Sequence, residues 1–166
     1  MASRFTGATF DGIAEESQMG YSAGLSVALA YSALESFEKA TVDDANMRRM
    51  SIADDNLSAN LRSHRCARFI NTLREESTSK HLQHRIETWF RDEDNGDVRP
   101  VVEATRHLVF HGVFTPYGSG ATGSKFVREI FKGMKESTLS TASQAFIEWT
   151  RMHPTSPAMK GSEGNG

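Results

Sequence analysis

The sequence predicts an all-α protein, an antiparallel bundle of four to five helices. Three observations carry that prediction. Apolar residues recur at helical spacings through most of the chain, whereas alternating β-branched runs are scarce. Only four prolines occur, and three of them, Pro100, Pro154 and Pro157, stand at the ends of segments. The other breaks are short acidic or glycine-containing stretches of the kind that turn a chain.

From Tyr21 to about Ala40, "YSAGLSVALAYSALESFEKA" is apolar on most sides, as a central helix is. Gly20 and Ser22 lie near its start, and Thr41-Val42-Asp43-Asp44 ends it. A second helix is predicted over roughly Asp54 to Glu76, with Leu57, Leu61, Phe69, Ile70 and Leu73 on one side and Asp54 or Asp55 as N-cap. A third runs from about Ser79 to Arg91 on the stripe Leu82, Ile86, Trp89 and Phe90, and "DEDNGD" closes it. Trp89, Phe90 and Trp149 are read as core. The fourth starts near Asp97, tolerates Pro100 in its first turn, and ends at Gly112. After the loop "TPYGSGATGS", a fifth helical region covers about Ser124 to Arg151, with a break allowed near Thr138 to Thr141. Residues 1–153 make one domain, and 154–166 form a polar tail expected to be disordered.

A chain of 166 residues can bury a real core in one domain. With 38% hydrophobic residues, 24% charged and a net charge of −2, its surface as a whole is not built for nucleic acid, although a local basic face remains open. The single cysteine, Cys66, excludes an internal disulfide framework and reads as a small core thiol in a reducing cytosol. No window reaches the ~18 apolar residues of a membrane span, and "MASRFTGATFDG" lacks a signal-peptide core. A cytoplasmic protein with no membrane partner is the expectation.

Residues 98–112, placed on a helix at about 100° per residue, separate into two faces. Val98, Val101, Val102, Leu108 and Val109 share one, suited to the core. Glu103, Arg106, His107, Phe110 and His111 share the other. A phenylalanine among those charges suggests that a helix, a second copy or a substrate covers the face, with Phe110 as an interface contact. The chemistry there is specific. Histidine can move a proton near neutral pH, and arginine offers a fork of donors to phosphate oxygens. Together they suit phosphodiester chemistry. Glu103, one turn earlier, could orient Arg106 or His107. The plain alternative is a solvated face carrying a Glu–Arg pair.

The stretch "RHLVFHG", residues 106–112, resembles the R-x4–6-H motif of HEPN domains: Arg106, four intervening residues, then His111. A polar residue directly after the arginine, here His107, and a glycine after the histidine strengthen the likeness, as does a place late in a helical bundle. The resemblance covers about one helix. It implies a metal-independent endoribonuclease acting as a homodimer, with no cofactor. His111 would be the general acid/base, Arg106 would hold the scissile phosphate and His107 would support them. The family also contains non-catalytic RNA-binding and protein-interaction modules, often partnered with a nucleotidyltransferase-like antitoxin. A toxin–antitoxin or defence role is therefore implied alongside catalysis.

Other sites compete. His107 and His111, four apart, could share a metal with Glu103, but no H-E-x-x-H pattern is present, and His81 and His84 read as surface residues. No metal is expected. Between Arg62 and Arg91 lie seven Arg/Lys and three Glu, and Arg62, Arg65 and Arg68 recur every three residues. Such a ridge could follow an RNA backbone, although a solvated face is the commoner cause. "YGSGATGS" lacks a P-loop's ending and reads as a connection.

Overall fold

The computed structural model describes residues 15–41, 49–77, 79–114 and 125–154, and over these the chain is all-α. Among the described residues, six α-helices follow in order: α1 (Glu15–Ala40), α2 (Asp55–Arg62), α3 (Ala67–Glu76), α4 (Lys80–Arg91), α5 (Arg99–Phe110) and α6 (Lys125–Met152). A 3₁₀ turn, His64–Cys66, separates α2 from α3. All of the expected tail (154–166) beyond Pro154, the glycine loop (115–124) and most of the turn after α1 (42–48) lie outside the described residues.

Three boundaries differ from the sequence reading, each for a local reason. Helix α1 begins at Glu15 and carries Gly20 and Gly24 inside it. Gly24 sits where three helices meet: a Cβ there would lie 3.5 Å from both Phe131 and Val109, so anything larger would wedge them apart. The predicted helix over 54–76 is two helices, because Ser63 turns extended (ψ 153°) and its hydroxyl donates to the Asn60 carbonyl at 2.6 Å. Helix α6 runs unbroken through Thr138 and Thr141. Their hydroxyls donate one turn back, to Met134 and Ser137, which leaves the helix intact.

Helices α1 and α6 form the most extensive pair and run side by side in the same direction. Near their starts Gly24 meets Phe131; near their ends Phe37 meets Phe146 and Trp149 edge-on, at 6.1 and 6.5 Å between ring centres. Helix α5 runs against α1, with Val109 beside Gly24 and Arg99 beside Glu38. The predicted stripes face inward: Leu57, Leu61, Phe69, Ile70, Leu73, Leu82, Ile86 and Trp89 are all buried. Phe90, read as core, is instead exposed at 36%, one residue past the stripe's inner edge, and Trp149 is half-buried. Phe69 packs edge-on against Phe131 and stacks on Phe114, and each such buried ring contributes about 1.5–3 kcal/mol. Cys66 lies in this core, and burial pushes its thiol up to about 11, which leaves it inert at neutral pH.

The connections are pinned by aspartates. Asp54 caps α2 by accepting from the Leu57 N–H (2.9 Å), and its other oxygen accepts from Ser137 on α6 (2.6 Å). Asp97 accepts from the N–H groups of Ile52 and Arg99, which fixes the start of α5. A single antiparallel bridge, Ala53 with Asp97, closes that corner. Among the described residues, no helix is long and apolar enough to cross a membrane.

Candidate functional site

Helix α5 has the two faces its sequence predicts. Val98, Val101, Val102, Leu108 and Val109 are buried. Opposite them, Glu103, Arg106 and His107 are half-buried, while Phe110 (52%) and His111 are exposed. The covering is therefore graded: α1 and α4 shield the middle of the face, and its C-terminal end stands open.

That end is made by a Schellman turn. Val113 N–H donates to the Leu108 carbonyl (3.0 Å) and Gly112 N–H to Val109 (3.2 Å). Gly112 takes φ +71°, a region L side chains rarely enter, so the glycine of "RHLVFHG" has a structural cause of its own. His111 sits at the C-cap, its N–H bonded to the His107 carbonyl (2.9 Å). The two imidazoles lie 4.1 Å apart between centres and tilted by 49°. Burial, then the neighbouring charges of His111 and Arg106, holds the His107 pKa below the ordinary imidazole value, and Glu103 opposes this only in part. The shift favours the neutral imidazole of His107.

Arg106 is engaged within the chain. Its Nη2 meets Glu35 of α1 at 3.1 Å, and its guanidinium lies 5.5 Å from the Phe110 ring centre. Its Nε is buried without a hydrogen-bond partner. Glu103 turns from Arg106 and His107 to Arg85 on α4, at 2.5 Å, and to Arg49, at 3.9 Å. The local Glu103–Arg106 pair that helical spacing allows gives way to two pairs between elements, because α1 and α4 bring better-placed partners to the same face.

The arginine ridge does not exist as a continuous row, since the break at Ser63 separates Arg62 from Arg65 and Arg68. Arg62 turns inward. Its Nη2 donates to the carbonyls of Trp89, Asp92 and Asn95, Nη1 donates to Ser58, and the guanidinium lies 4.2 Å over the Trp89 ring. It finishes the C-terminal end of α4 and is committed to the fold. Arg65 lies over the Phe126 ring at 3.8 Å, and Arg65 and Arg68 are exposed. His81 and His84 are exposed on α4. Among the described residues no three His, Cys, Asp or Glu side chains gather as a metal-ligand set.

Sequence reasoning missed the strongest polar feature of α5. Arg99, 4% exposed, grips both oxygens of Glu38 (2.5 and 2.7 Å), donates to the Met50 carbonyl (2.5 Å) and reaches the Tyr31 hydroxyl (3.2 Å). Burial alone would favour a neutral guanidine, but Glu38 and Tyr31 outweigh it and hold Arg99 firmly charged. The Tyr31 phenol, chiefly through burial, is pushed up to about 12. A signal was present: Arg99 opens a helix, where the macrodipole disfavours a cation, so a carboxylate had to be near. Arg99, Glu103, Arg106 and Phe110 stand at i, i+4, i+7 and i+11, one stripe that is charged for two turns and ends in an aromatic ring.

No protein-family model, curated protein or solved structure matches the chain.

Proposed function

We propose that the protein is a HEPN-like RNA-handling domain that cleaves RNA without a metal, working as a homodimer in the cytoplasm. One observation carries the reading: exposed Phe110 and His111 stand at the open end of α5 with half-buried Arg106 and His107 directly beside them. In the proposed reaction, a histidine of this cluster takes the proton of the RNA 2′-hydroxyl as that oxygen attacks the adjacent phosphorus. The P–O5′ bond breaks, and the leaving 5′-oxygen takes a proton from a second acid/base group. The products are a 2′,3′-cyclic phosphate and a 5′-hydroxyl. His111, exposed at the helix end, is best placed to meet substrate, and neutral His107 supports it. Arg106 stabilises the charge on the phosphate oxygens. To do so it must exchange its contact with Glu35, a partly exposed pair worth only about 0–1 kcal/mol. A second copy packed on Phe110 would bring a second set of these groups and exclude water.

A protein-docking module is the second reading, favoured by Arg106 already having a partner in Glu35 while Phe110 stands exposed. An antitoxin-type protein is the partner that reading takes.

RNA incubated with purified protein in EDTA separates them. Wild type is expected to cut, leaving cyclic-phosphate ends, while Arg106→Ala and His111→Ala lose about 10²–10⁴-fold in rate. Variants that cut as fast as wild type would remove these residues from the reaction. A wild type that cuts no RNA leaves the docking module as the better account. Light scattering gives the second check: a monomer at high concentration is incompatible with a composite site.

A further inference from the structure

At the opposite end of α5 from its histidines, a cleft of about 420 Å³ opens between α4, the start of α5 and Arg49. That is within the roughly 300–1,000 Å³ of small-ligand sites. Trp89 and Arg99, both nearly fully buried, form its base; Arg49, His84 and Arg85 stand around it. Its lining holds three guanidiniums and an imidazole against one carboxylate, Asp97, whose Oδ1 is already taken by two backbone N–H groups. Behind the walls, Glu38 pairs with Arg99, and Arg85 holds Glu103 closely. Arg49 is left with a single 3.9 Å contact to Glu103 and is more than half exposed. Lys80, exposed one turn before His84 on α4, extends the cationic side outward.

The backbone next to Arg49 is fixed. Met50 is tied on both sides of its backbone, its N–H donating to Glu38 (2.6 Å) and its carbonyl accepting from Arg99. Arg49 itself takes φ +50°, a left-handed conformation that a residue with a side chain rarely adopts. Strain of this kind persists where the surroundings over-determine it, and sites that grip ligands are where it collects.

The geometry points to a phosphate-binding pocket formed by Arg49, His84 and Arg85 over Trp89 and Arg99, separate from the histidine end of α5. Its ligand is a phosphate group carried by a free nucleotide or by an RNA strand. Arg99 and His111 are twelve residues apart, about 18 Å along the helix, so one strand could reach both ends. The pocket contains none of the groups proposed for cleavage.

Calorimetric titration of the intact protein with inorganic phosphate, AMP and a short oligoribonucleotide tests it. Salt-sensitive binding of at least one is expected, weakened roughly tenfold or more in Arg49→Ser, as loss of a charge-assisted contact implies. His84→Gln should weaken it less, and Arg151→Ser, an exposed cation on α6, should not change it. Preference for AMP identifies a free nucleotide and preference for the oligonucleotide an RNA strand; either supports the pocket. Arg49 is exposed enough that its variant should fold, which circular dichroism checks; should it not, Arg49→Gln and Arg49→Lys carry the same comparison. Failure of folded wild type to bind any of the three, or equal binding by the Arg49 variant, overturns the proposal. The double variant Arg106→Ala/His111→Ala distinguishes the two sites. Retained AMP or phosphate binding there supports a separate pocket whether or not the protein cleaves RNA, whereas loss assigns the binding to the histidine end and overturns it.

Discussion

At the start of α5, Arg99 is held by both oxygens of Glu38, by a backbone carbonyl and by Tyr31. Two turns further along the same stripe, Arg106 meets one oxygen of Glu35; the Nε of each arginine is unmatched. The residue type and the helix are the same, and each arginine has a glutamate from α1. What differs is access to water: the Arg99 side chain is 5% exposed and that of Arg106 is 30%. A buried cation needs a carboxylate beside it, and both oxygens of Glu38 fix the geometry of Arg99. A half-exposed one keeps water as an alternative partner, and its protein contact can be exchanged for another anion. The first arrangement builds a scaffold, and the second leaves a group available to a ligand.

The largest expected effect breaks this contrast at its buried end. Arg99→Ala strands the Glu38 carboxylate and should cost about 3–5 kcal/mol in denaturant unfolding, whereas Arg106→Ala should cost only about 0–1 kcal/mol. Equal losses would mean that burial does not divide the two arginines. Next comes Gly112→Ala. A Cβ there meets nothing within 4 Å, so the penalty is purely conformational, about 1–2 kcal/mol, and thermal unfolding should show it. A neutral result would remove the Schellman turn as the reason for the glycine. The smallest effect is the titration of His107. Its folded pKa lies below its unfolded one, so the unfolded chain binds more protons between the two values. Stability should therefore fall as pH drops below about 6.5 and level off below the folded value. Because the His111 charge is one cause of the shift, His111→Ala should raise the His107 pKa in an NMR titration. A fall, or no change, would show that the two rings do not interact as their 4.1 Å separation requires.

The helical class and the inward stripes were legible because a 3.6-residue period is written locally, and Leu82, Ile86 and Trp89 needed no knowledge of their neighbours. So was the division of α5 into two faces. What could not be read depends on residues far apart in the chain. Glu38 and Arg99 are 61 positions apart, and neither announces the other. Arg62 looked like one step of a basic ridge until the fold brought the end of α4 beneath it. Ser63 offered a weak local hint, since serine competes with helical backbone bonds, yet the apolar period continues straight across it. Phe90 lies at the edge of its stripe, where a single residue's rotation decides between core and surface. The open end of α5 was expected to be covered. Among the described residues α1 and α4 reach only its middle, and Phe110 stands exposed.

The same-direction packing of α1 and α6 also has a mechanical side. The described chain enters at the near end of this pair and leaves at the far end, about 40 Å away by the length of α6. Tension applied at Glu15 and His153 would slide the two helices lengthwise against each other, loading the contacts from Gly24–Phe131 to Phe37–Trp149 together. Joined by short loops in opposite directions, the same helices would peel apart one contact at a time. A bundle wired this way resists pulling at its ends more than its modest size suggests.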